Sequence, residues 1–327
     1  MLKIIKHLAK SSGLNNYILN ARKNRNSALL KLAYSPRNSI PKVHIENLKI
    51  AICFSGQIRT GVYTAPNIIR YIGDLYPNCD FFVHSWDIET LGTGYANRIG
   101  AKTTDEIWHR SAPVYKNSTL NTFKKIYQPK GILVENYNAQ PTKNTWGGRR
   151  FDPILNRWHV SMWRSIYESN RLKTAYEMNS GFSYDLTVRI RPDIVFDQSK
   201  SLIEDIQFLG NNRTVFFGDH YDIWPQHGMS RIEDIFWIAK SDFMDKLCEY
   251  YDYYSRDVSN IDNPNLPGYQ DWQWHCAKWI TQTLNGKFYP LINNTMRIFS
   301  QLDVENSVDP LRPGFGTPPG KIEPICD

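Results

Sequence analysis

Short apolar runs alternate with longer helical patterns through most of this chain of 327 residues. The strand-like runs lie at residues 48–54, 80–84, 132–135, 186–191, 214–218 and 235–239. Helical patterns lie at residues 64–75, at 153–180, in a segment that begins at residue 241, and at 270–284. Strands that alternate with helices predict an α/β domain in which a mainly parallel sheet is flanked by helices.

The strongest helical pattern has start and stop signals at its two ends. Asp152 is a favourable N-cap residue, Pro153 is favoured at the first helical position, and Gly181 is typical of a helix end. We therefore expect one long helix over residues 153–180.

Basic charge is concentrated at the start of the sequence. Residues 1–45 contain nine lysine and arginine residues and no acidic residue, whereas the rest of the chain is close to neutral. A basic arm on a neutral body predicts attraction to an anionic surface rather than a nucleic-acid groove. Apolar residues and lysines interleave over residues 2–10, which fits a short helix on acidic lipid, and a solvated extension fits the composition equally well.

Cysteine use and hydropathy indicate the compartment. The five cysteines are an odd number and lack CxxC or zinc-finger spacing, which predicts free thiols in a reducing environment. No apolar run approaches the roughly 20 residues that span a bilayer. We therefore expect a cytoplasmic protein, with residues 1–45 as the candidate peripheral contact to a membrane.

Ligands of open α/β sheets bind at the carboxyl ends of the strands, so the residues that close each strand are candidates for function. The first strand is followed by SGQIRT, which lacks the glycine spacing of dinucleotide-binding and P-loop proteins. Ser55, Gly56, Arg59 and Thr60 can still hold an anionic ligand through backbone N–H groups and a guanidinium. The alternative is an ordinary strand-to-helix turn with a surface arginine.

The second strand is followed by the sequence HSWD. This places the carboxylate of Asp87 beside a ring and a hydroxyl, where a nucleobase or ribose could dock. An aspartate after a strand is also a common turn or cap residue, so both interpretations stay open.

The strand at residues 186–191 carries arginines on one face and stops at a proline. Arg189 and Arg191 have the same parity, opposite to that of the apolar residues. Pro192 cannot donate a ladder hydrogen bond, so we expect pairing to end there and Asp193 to emerge at the rim of the sheet. Two guanidiniums would keep this carboxylate ionised, as a ligand for a hard divalent cation. The alternative is a buried structural arginine–aspartate pair without metal.

Together these segments resemble a known family. The chain has SGQ-x-RT after the first strand, HSWD after the second, a helix rich in tryptophan, and then YD-x-x-x-R-x-RPD-x-x-F. This order looks like that of the GT-A-type glycosyltransferases of bacterial polysaccharide loci and large DNA viruses, over residues 48–280. The resemblance implies a single GT-A-like domain that binds a nucleotide diphosphate sugar and holds Mn²⁺ or Mg²⁺ with a D-x-D motif. Here Arg191 stands in place of the first acid, and only Asp193 is carried over.

We accordingly divide the chain into a basic arm at residues 1–45, a catalytic domain at 46–300, and a tail rich in proline and glycine at 301–327. The nucleotide-sugar half of the domain covers about 46–200, and the acceptor half about 201–300. The residues expected to bind the nucleotide sugar are Ser55, Gly56, Arg59, Thr60, Asp87, Arg189 and Arg191, and the expected metal ligand is Asp193.

The acceptor half must supply a base. Asp271 is the first candidate and Asp234 the second, because a carboxylate can remove the proton of an acceptor hydroxyl. His275 lies one helical turn after Asp271 and could be a further metal ligand, although a histidine among tryptophans is commonly packed in a core. Inverting and retaining routes both stay open.

The hypothesis is therefore a metal-assisted glycosyltransferase that moves a sugar from a nucleotide diphosphate sugar to a hydroxyl of a glycan or lipid-linked glycan, with no nucleic-acid partner. One alternative is a nucleotidyltransferase that makes the activated sugar, although the glycine- and lysine-rich phosphate loop of such an enzyme is missing from the sequence. The other is a non-catalytic module that binds an anionic polymer or membrane through residues 1–45.

Overall fold

The computed structural model describes residues 47–87, 117–137, 153–197, 201–206, 213–217, 223–224, 229–230, 232, 234–252, 276–290, 296–298 and 309–310. The chain divides into two units, Met1–Val43 and His44–Asp327, and the described residues all belong to the second. No helix in these ranges combines the length and apolar character that a membrane span needs. The predicted arm and nearly all of the predicted tail lie outside the described residues and stay predictions.

A seven-stranded sheet is the centre of the second unit. In chain order the described strands are β1 (Ile50–Ser55), β2 (Cys79–Trp86), β3 (Gly131–Glu135), β4 (Leu186–Ile190), β5 (Ile194–Phe196), β6 (Thr214–Phe217), β7 (Ile223–Trp224), β8 (Met229–Ser230), β9 (Phe236–Lys240), β10 (Lys287–Pro290) and β11 (Met296–Ile298). The spatial order in the sheet is β3-β2-β1-β4-β9-β6-β10. Four neighbouring pairs are parallel, and only β9 runs against its two neighbours, β4 and β6. The predicted α/β class with a mainly parallel sheet is confirmed.

Helices flank this sheet. The described helices are α1 (Gly61–Ile72), α2 (Asn117–Tyr127), α3 (Pro153–Ser180), α4 (Leu202–Ile206) and α5 (Ser241–Cys248), with a 3₁₀ turn at Gly73–Asn78 and a π-helical turn at Trp279–Thr283. Alternation along β1 divides the side chains between two layers. Phe54 packs against Phe123 and Tyr127 of α2, whereas Cys53 packs on the opposite face, in a cluster that includes Leu172 of α3.

The predicted elements are largely in the right places. The helix predicted over residues 153–180 is α3, and Gly181 ends it with a φ of 68°, a left-handed value that favours glycine. The helix predicted over 64–75 begins earlier, at Gly61, because the carbonyl of Thr60 already accepts hydrogen bonds from the N–H groups of Tyr63 and Thr64. The helix predicted over 270–284 is described only from residue 276 onward.

Four of the five cysteines are described, namely Cys53, Cys79, Cys248 and Cys276, and all four are free and buried. Burial raises the pKa of Cys53 and of Cys79 to about 12. These side chains therefore act as small core residues, in line with the prediction of free thiols.

A buried ion cluster fixes α3 to α5 beneath the sheet. The Lys173 ammonium is fully buried and lies 3.0 Å from Glu177 Oε2 and 2.7 Å from Asp245 Oδ1, and it donates to Ser241 Oγ at 2.6 Å. Burial alone would lower the pKa of Lys173, but the charge of Asp245, the hydrogen bond to Asp245 and the charge of Glu177 act together against it, so the pKa is raised and the lysine stays charged.

Replacing Lys173 measures how much the ion cluster contributes to the free energy of unfolding. Lys173→Met leaves Glu177 and Asp245 without their cation, so we expect a loss of about 3–5 kcal/mol in the free energy of unfolding. The control is Lys130→Met, because Lys130 is 47% exposed and lies 3.7 Å from Asp80. That variant should lose less than about 1 kcal/mol. Urea unfolding of both variants checks this, and equal losses would contradict it.

Candidate functional site

The direction in which strands are added to the sheet reverses at β1. The chain places β2 and then β3 on one side of β1, and it returns to place β4 on the other side, parallel to β1. The carboxyl ends of β1 and β4 therefore flank the crevice in which ligands of open α/β sheets bind. Ser55 closes β1, and Arg189 and Arg191 stand at the end of β4.

A buried arginine joins these two strand ends. Arg189 is 2% exposed, and its Nε donates to Ser55 Oγ at 2.6 Å. Its guanidinium lies over the ring of Trp237, 5.4 Å from the ring centroid. Nη1 of Arg189 has no hydrogen-bond partner among the described residues. Burial lowers the pKa of Arg189 to about 10, so the side chain is still a cation at neutral pH.

Two further guanidiniums converge on Asp193. Arg191 donates from Nε to Oδ1 at 2.9 Å and from Nη2 to Oδ2 at 2.8 Å, and Arg59 donates from Nη1 to Oδ2 at 3.1 Å. The carboxylate is 2% exposed, whereas the side chains of Arg59 and Arg191 are 24% and 19% exposed. We call these three residues the arginine–aspartate cluster. Its anion is enclosed, and its cations reach solvent.

Tight packing of one turn brings the members of this cluster together. Pairing of β4 ends at Ile190, before Pro192, as the sequence predicts. Thr64 Oγ1 of α1 donates to the carbonyl of Pro192 at 2.6 Å. A Cβ on Gly61 would lie 2.9 Å from Pro192 Cβ, so only glycine fits there without a shift. This contact holds the turn after β4 against the start of α1, close to Arg59.

The expectation that Asp193 emerges at the rim is wrong. The proline does release the residue from the sheet, but the carboxylate turns onto the two guanidiniums, whose attraction compensates for the loss of water. Burial alone would raise the pKa of Asp193, yet the charges of Arg191 and Arg59 outweigh it and hold that pKa below its usual value. The alternative interpretation, a buried arginine–aspartate pair, describes this arrangement.

This arrangement does not fit a divalent cation on Asp193. Both carboxylate oxygens already accept hydrogen bonds from arginines. A cation on Oδ2 would displace a guanidinium from its partner, and a cation on Oδ1 would lie beside two guanidiniums at an enclosed carboxylate. Among the described residues, no group of three histidine, cysteine, aspartate or glutamate side chains could hold a metal. His275, the other predicted ligand, lies outside the described residues.

The remaining predicted residues of the first turn shape the crevice. Gly56 has a φ of 113°, which side chains rarely tolerate, and its N–H donates to the carbonyl of His84 at 3.2 Å. Thr60 is buried, and its carbonyl accepts the first hydrogen bonds of α1. Gly56 therefore uses its N–H within the protein, and the guanidinium of Arg59 is a partly exposed donor of this turn.

Asp87 connects the ends of β2 and β3. Its Oδ1 accepts from the N–H of Tyr137 at 2.8 Å, and its own N–H donates to the carbonyl of Glu135 at 2.8 Å. These contacts match the interpretation of Asp87 as a turn residue. Its contact with a nucleoside stays a prediction.

One candidate base lies near the arginines. Asp234 is half-buried and precedes β9, and its negative charge acts to raise the pKa of both Arg189 and Arg191. Asp271, the first candidate for the base, lies outside the described residues.

A second polar cluster at the same edge was missed in the sequence. His84 Nδ1 lies 2.9 Å from Ser165 Oγ, and His84 Nε2 lies 2.9 Å from Glu135 Oε2. Arg164 donates to both oxygens of Glu135, at 2.5 and 2.6 Å. The sequence signals were the HSWD motif, which contains His84, and the position of Glu135 at the end of the third strand. The α3 residues lie within a helical pattern that gives no sign of contact with strand ends.

A cavity of about 440 Å³ lies in another part of the fold. Residues that line it include Arg213 before β6, Lys246 of α5 and Asn285 after the π-helical turn. None of the predicted site residues within the described ranges lines it, so it offers no support for the predicted site.

Comparisons with known proteins leave the family open. No family model matches the sequence, and no curated protein matches it. Among solved structures, core-mannan synthase A (CmsA/Ktr4) from Aspergillus fumigatus in its Mn/GDP form is similar at 12% identity, with a TM-score of 0.34 over 80% of this chain and 76% of that chain. A TM-score this low does not establish a shared fold, so the α/β architecture is assigned from the strand order and strand directions of the sheet.

The second polar cluster predicts how stability depends on pH. Hydrogen bonds from Arg164 and His84 lower the pKa of Glu135 from 4.5 to about 2. Its contribution to stability is therefore fully present above about pH 4.5 and is lost as the pH falls toward about 2. Glu135→Gln should thus destabilise the protein more at about pH 6 than at about pH 3.

Urea unfolding at both pH values measures this difference. Glu249→Gln is the control, because Glu249 is exposed and should give the same small effect at either pH. A Glu135→Gln effect that does not change with pH would contradict the assignment of these hydrogen bonds.

Proposed function

We propose that this chain is a glycosyltransferase that moves a sugar from a nucleotide diphosphate sugar to a hydroxyl of a glycan or lipid-linked glycan. The motif resemblance over residues 48–280 supports a GT-A-type enzyme. One observation carries the proposal: Arg59 and Arg191 are held by a buried carboxylate, and partly exposed, beside the crevice between β1 and β4.

Guanidiniums in this setting suit a diphosphate. The planar fork of arginine matches two oxygens of a phosphate group, and arginine stays charged at any physiological pH. Arg191 uses two of its five N–H donors on Asp193, so donors remain for a ligand. Arg189, two residues earlier on the same strand face, adds a third cation.

The chemistry follows from these charges. The bond between the anomeric carbon and the diphosphate oxygen breaks, a bond to the acceptor oxygen forms, and the acceptor proton passes to a carboxylate base. Cations fixed beside the leaving diphosphate stabilise the negative charge that develops on it. We propose Asp271 or Asp234 as the base, and the position of Asp234 near Arg189 and Arg191 supports the second.

We also propose that residues 1–45 bring the enzyme to an anionic membrane surface on the cytoplasmic side. Nine basic residues without an acid would be attracted to acidic lipid, where lipid-linked glycans reside. The residues that hold the chemistry lie outside this arm.

Arginine variants test the proposed donor site. With UDP- and GDP-sugars as donors, we expect release of nucleoside diphosphate from at least one of them, measured without and with acceptor glycans. Arg59→Ala and Arg191→Ala each remove a charged hydrogen-bond donor, so kcat/KM should fall by roughly 10- to 100-fold. Arg171→Ala is the matched control, because Arg171 is 62% exposed on α3. No turnover of any donor, or equal losses in all three variants, would overturn the proposal.

Removal of three of the nine basic charges of residues 1–45 tests the membrane proposal. In the full chain, Lys3→Gln, Lys6→Gln and Lys10→Gln together remove three charges, and each is worth about 1 kcal/mol at an anionic surface. Binding to phosphatidylserine vesicles, measured by co-sedimentation, should weaken by at least about tenfold, while donor hydrolysis stays unchanged. Vesicle binding of unchanged strength would show that the arm is not the anchor.

A further inference from the structure

We propose that Asp193 is a positioning residue for Arg59 and Arg191 rather than a metal ligand, and that the chain binds the donor diphosphate without a divalent cation. This inference rests on the proposed function, which assigns the crevice between β1 and β4 to a nucleotide diphosphate sugar. It departs from what the D-x-D resemblance implies, and the departure begins with Arg191 in place of the first acid.

The hydrogen bonds of Asp193 are the first argument. Its Oδ2 accepts from both arginines, at 2.8 and 3.1 Å, and its Oδ1 accepts from Arg191 at 2.9 Å. A cation on Oδ2 would have to break one of these contacts, and a cation on the remaining lone pair of Oδ1 would have to reach an enclosed carboxylate beside two guanidiniums. Removing one partner of a buried ion pair strongly destabilises a protein, because the other charge stays buried without compensation.

The local charge is the second argument. Among the described residues at these strand ends, Arg59, Arg189 and Arg191 stand against one enclosed carboxylate, Asp193, which leaves an excess of two positive charges. Even if half-buried Asp234 is counted, the excess is one. A nucleotide sugar diphosphate carries two negative charges, so these residues offset at least one of them without a divalent cation.

An unsatisfied donor is the third argument. Nη1 of Arg189 is buried and has no hydrogen-bond partner within the described part of the chain. A buried donor that lacks a partner is costly, and a bound anion near the strand end would satisfy it. The ligand would then supply the acceptor that the described residues do not supply to Nη1 of Arg189.

The geometry gives Asp193 its proposed role. The nitrogens of Arg59 and Arg191 that share Oδ2 lie within roughly 6 Å of each other, a close approach for two cations. The shared carboxylate offsets their repulsion and fixes the direction of both planar groups. Without it, the two arginines would separate and meet the diphosphate less often in the right orientation.

Titration calorimetry with the full chain tests the inference. UDP, GDP and inorganic pyrophosphate are titrated in EDTA, and again with millimolar Mn²⁺ or Mg²⁺. We expect at least one nucleotide and pyrophosphate to bind in EDTA, and we expect no tightening when a cation is added, because a cation that complexes the free diphosphate can only compete with the arginines for it. Tightening by about tenfold or more with a cation would overturn the inference and leave the proposed function standing. If neither nucleotide binds in any buffer, the proposed function fails as well.

A variant separates positioning from metal binding. Asp193→Asn should weaken nucleotide binding by at least about tenfold, equally in EDTA and in Mn²⁺, because the arginines lose their ionic partner. A metal ligand would instead give a loss seen only with the cation, and that result would overturn the inference.

The control for stability is Asp205→Asn. Asp205 is buried, and it accepts a hydrogen bond from Tyr71 near the far end of α1. This variant should lose stability without a change in nucleotide affinity, and an equal loss of affinity in both variants would count against a positioning role. If Asp193→Asn does not fold, the comparison of buffers on the unaltered chain still decides the question.

Discussion

The enclosed carboxylate of Asp193 is the interaction on which the site depends. It neutralises one of two neighbouring guanidiniums, and it fixes the turn after β4 beside the turn after β1, 134 residues earlier in the sequence. Close packing of Gly61 and Thr64 against Pro192 supports the same contact. The crevice between β1 and β4 therefore presents the cations Arg59 and Arg191, whereas the resemblance to the D-x-D motif led to the expectation of a metal-binding carboxylate at Asp193.

The charges of a leaving diphosphate can be stabilised by a divalent cation or by arginines, and the two have different requirements. A divalent cation needs free carboxylate oxygens, whereas arginines need a rigid support and access to solvent. The arginine–aspartate cluster offers the second set of conditions, with Arg59 and Arg191 about one fifth exposed and Asp193 enclosed. Arg189 extends the positive charge into the interior and is fixed by Ser55 and Trp237.

Much of the fold could be predicted from the sequence, because strands with alternating or continuous apolar residues and a helix with clear end signals leave few arrangements open. The proline that ends β4 was also predictable, since it cannot join a ladder. The direction of the Asp193 side chain was not, because it depends on Arg59, which lies far away in the sequence. The contacts of His84 with Ser165 and Glu135 were missed for the same reason, since each partner comes from a different element.

A structure of the protein with a bound nucleoside diphosphate, determined in EDTA, would show whether the arginines bind the diphosphate without a metal. We expect phosphate oxygens within hydrogen-bond distance of Arg59 and Arg191, with Asp193 still paired to both. A diphosphate bound elsewhere, or one that binds only when a metal sits on Asp193 and the arginines have turned away, would contradict this expectation.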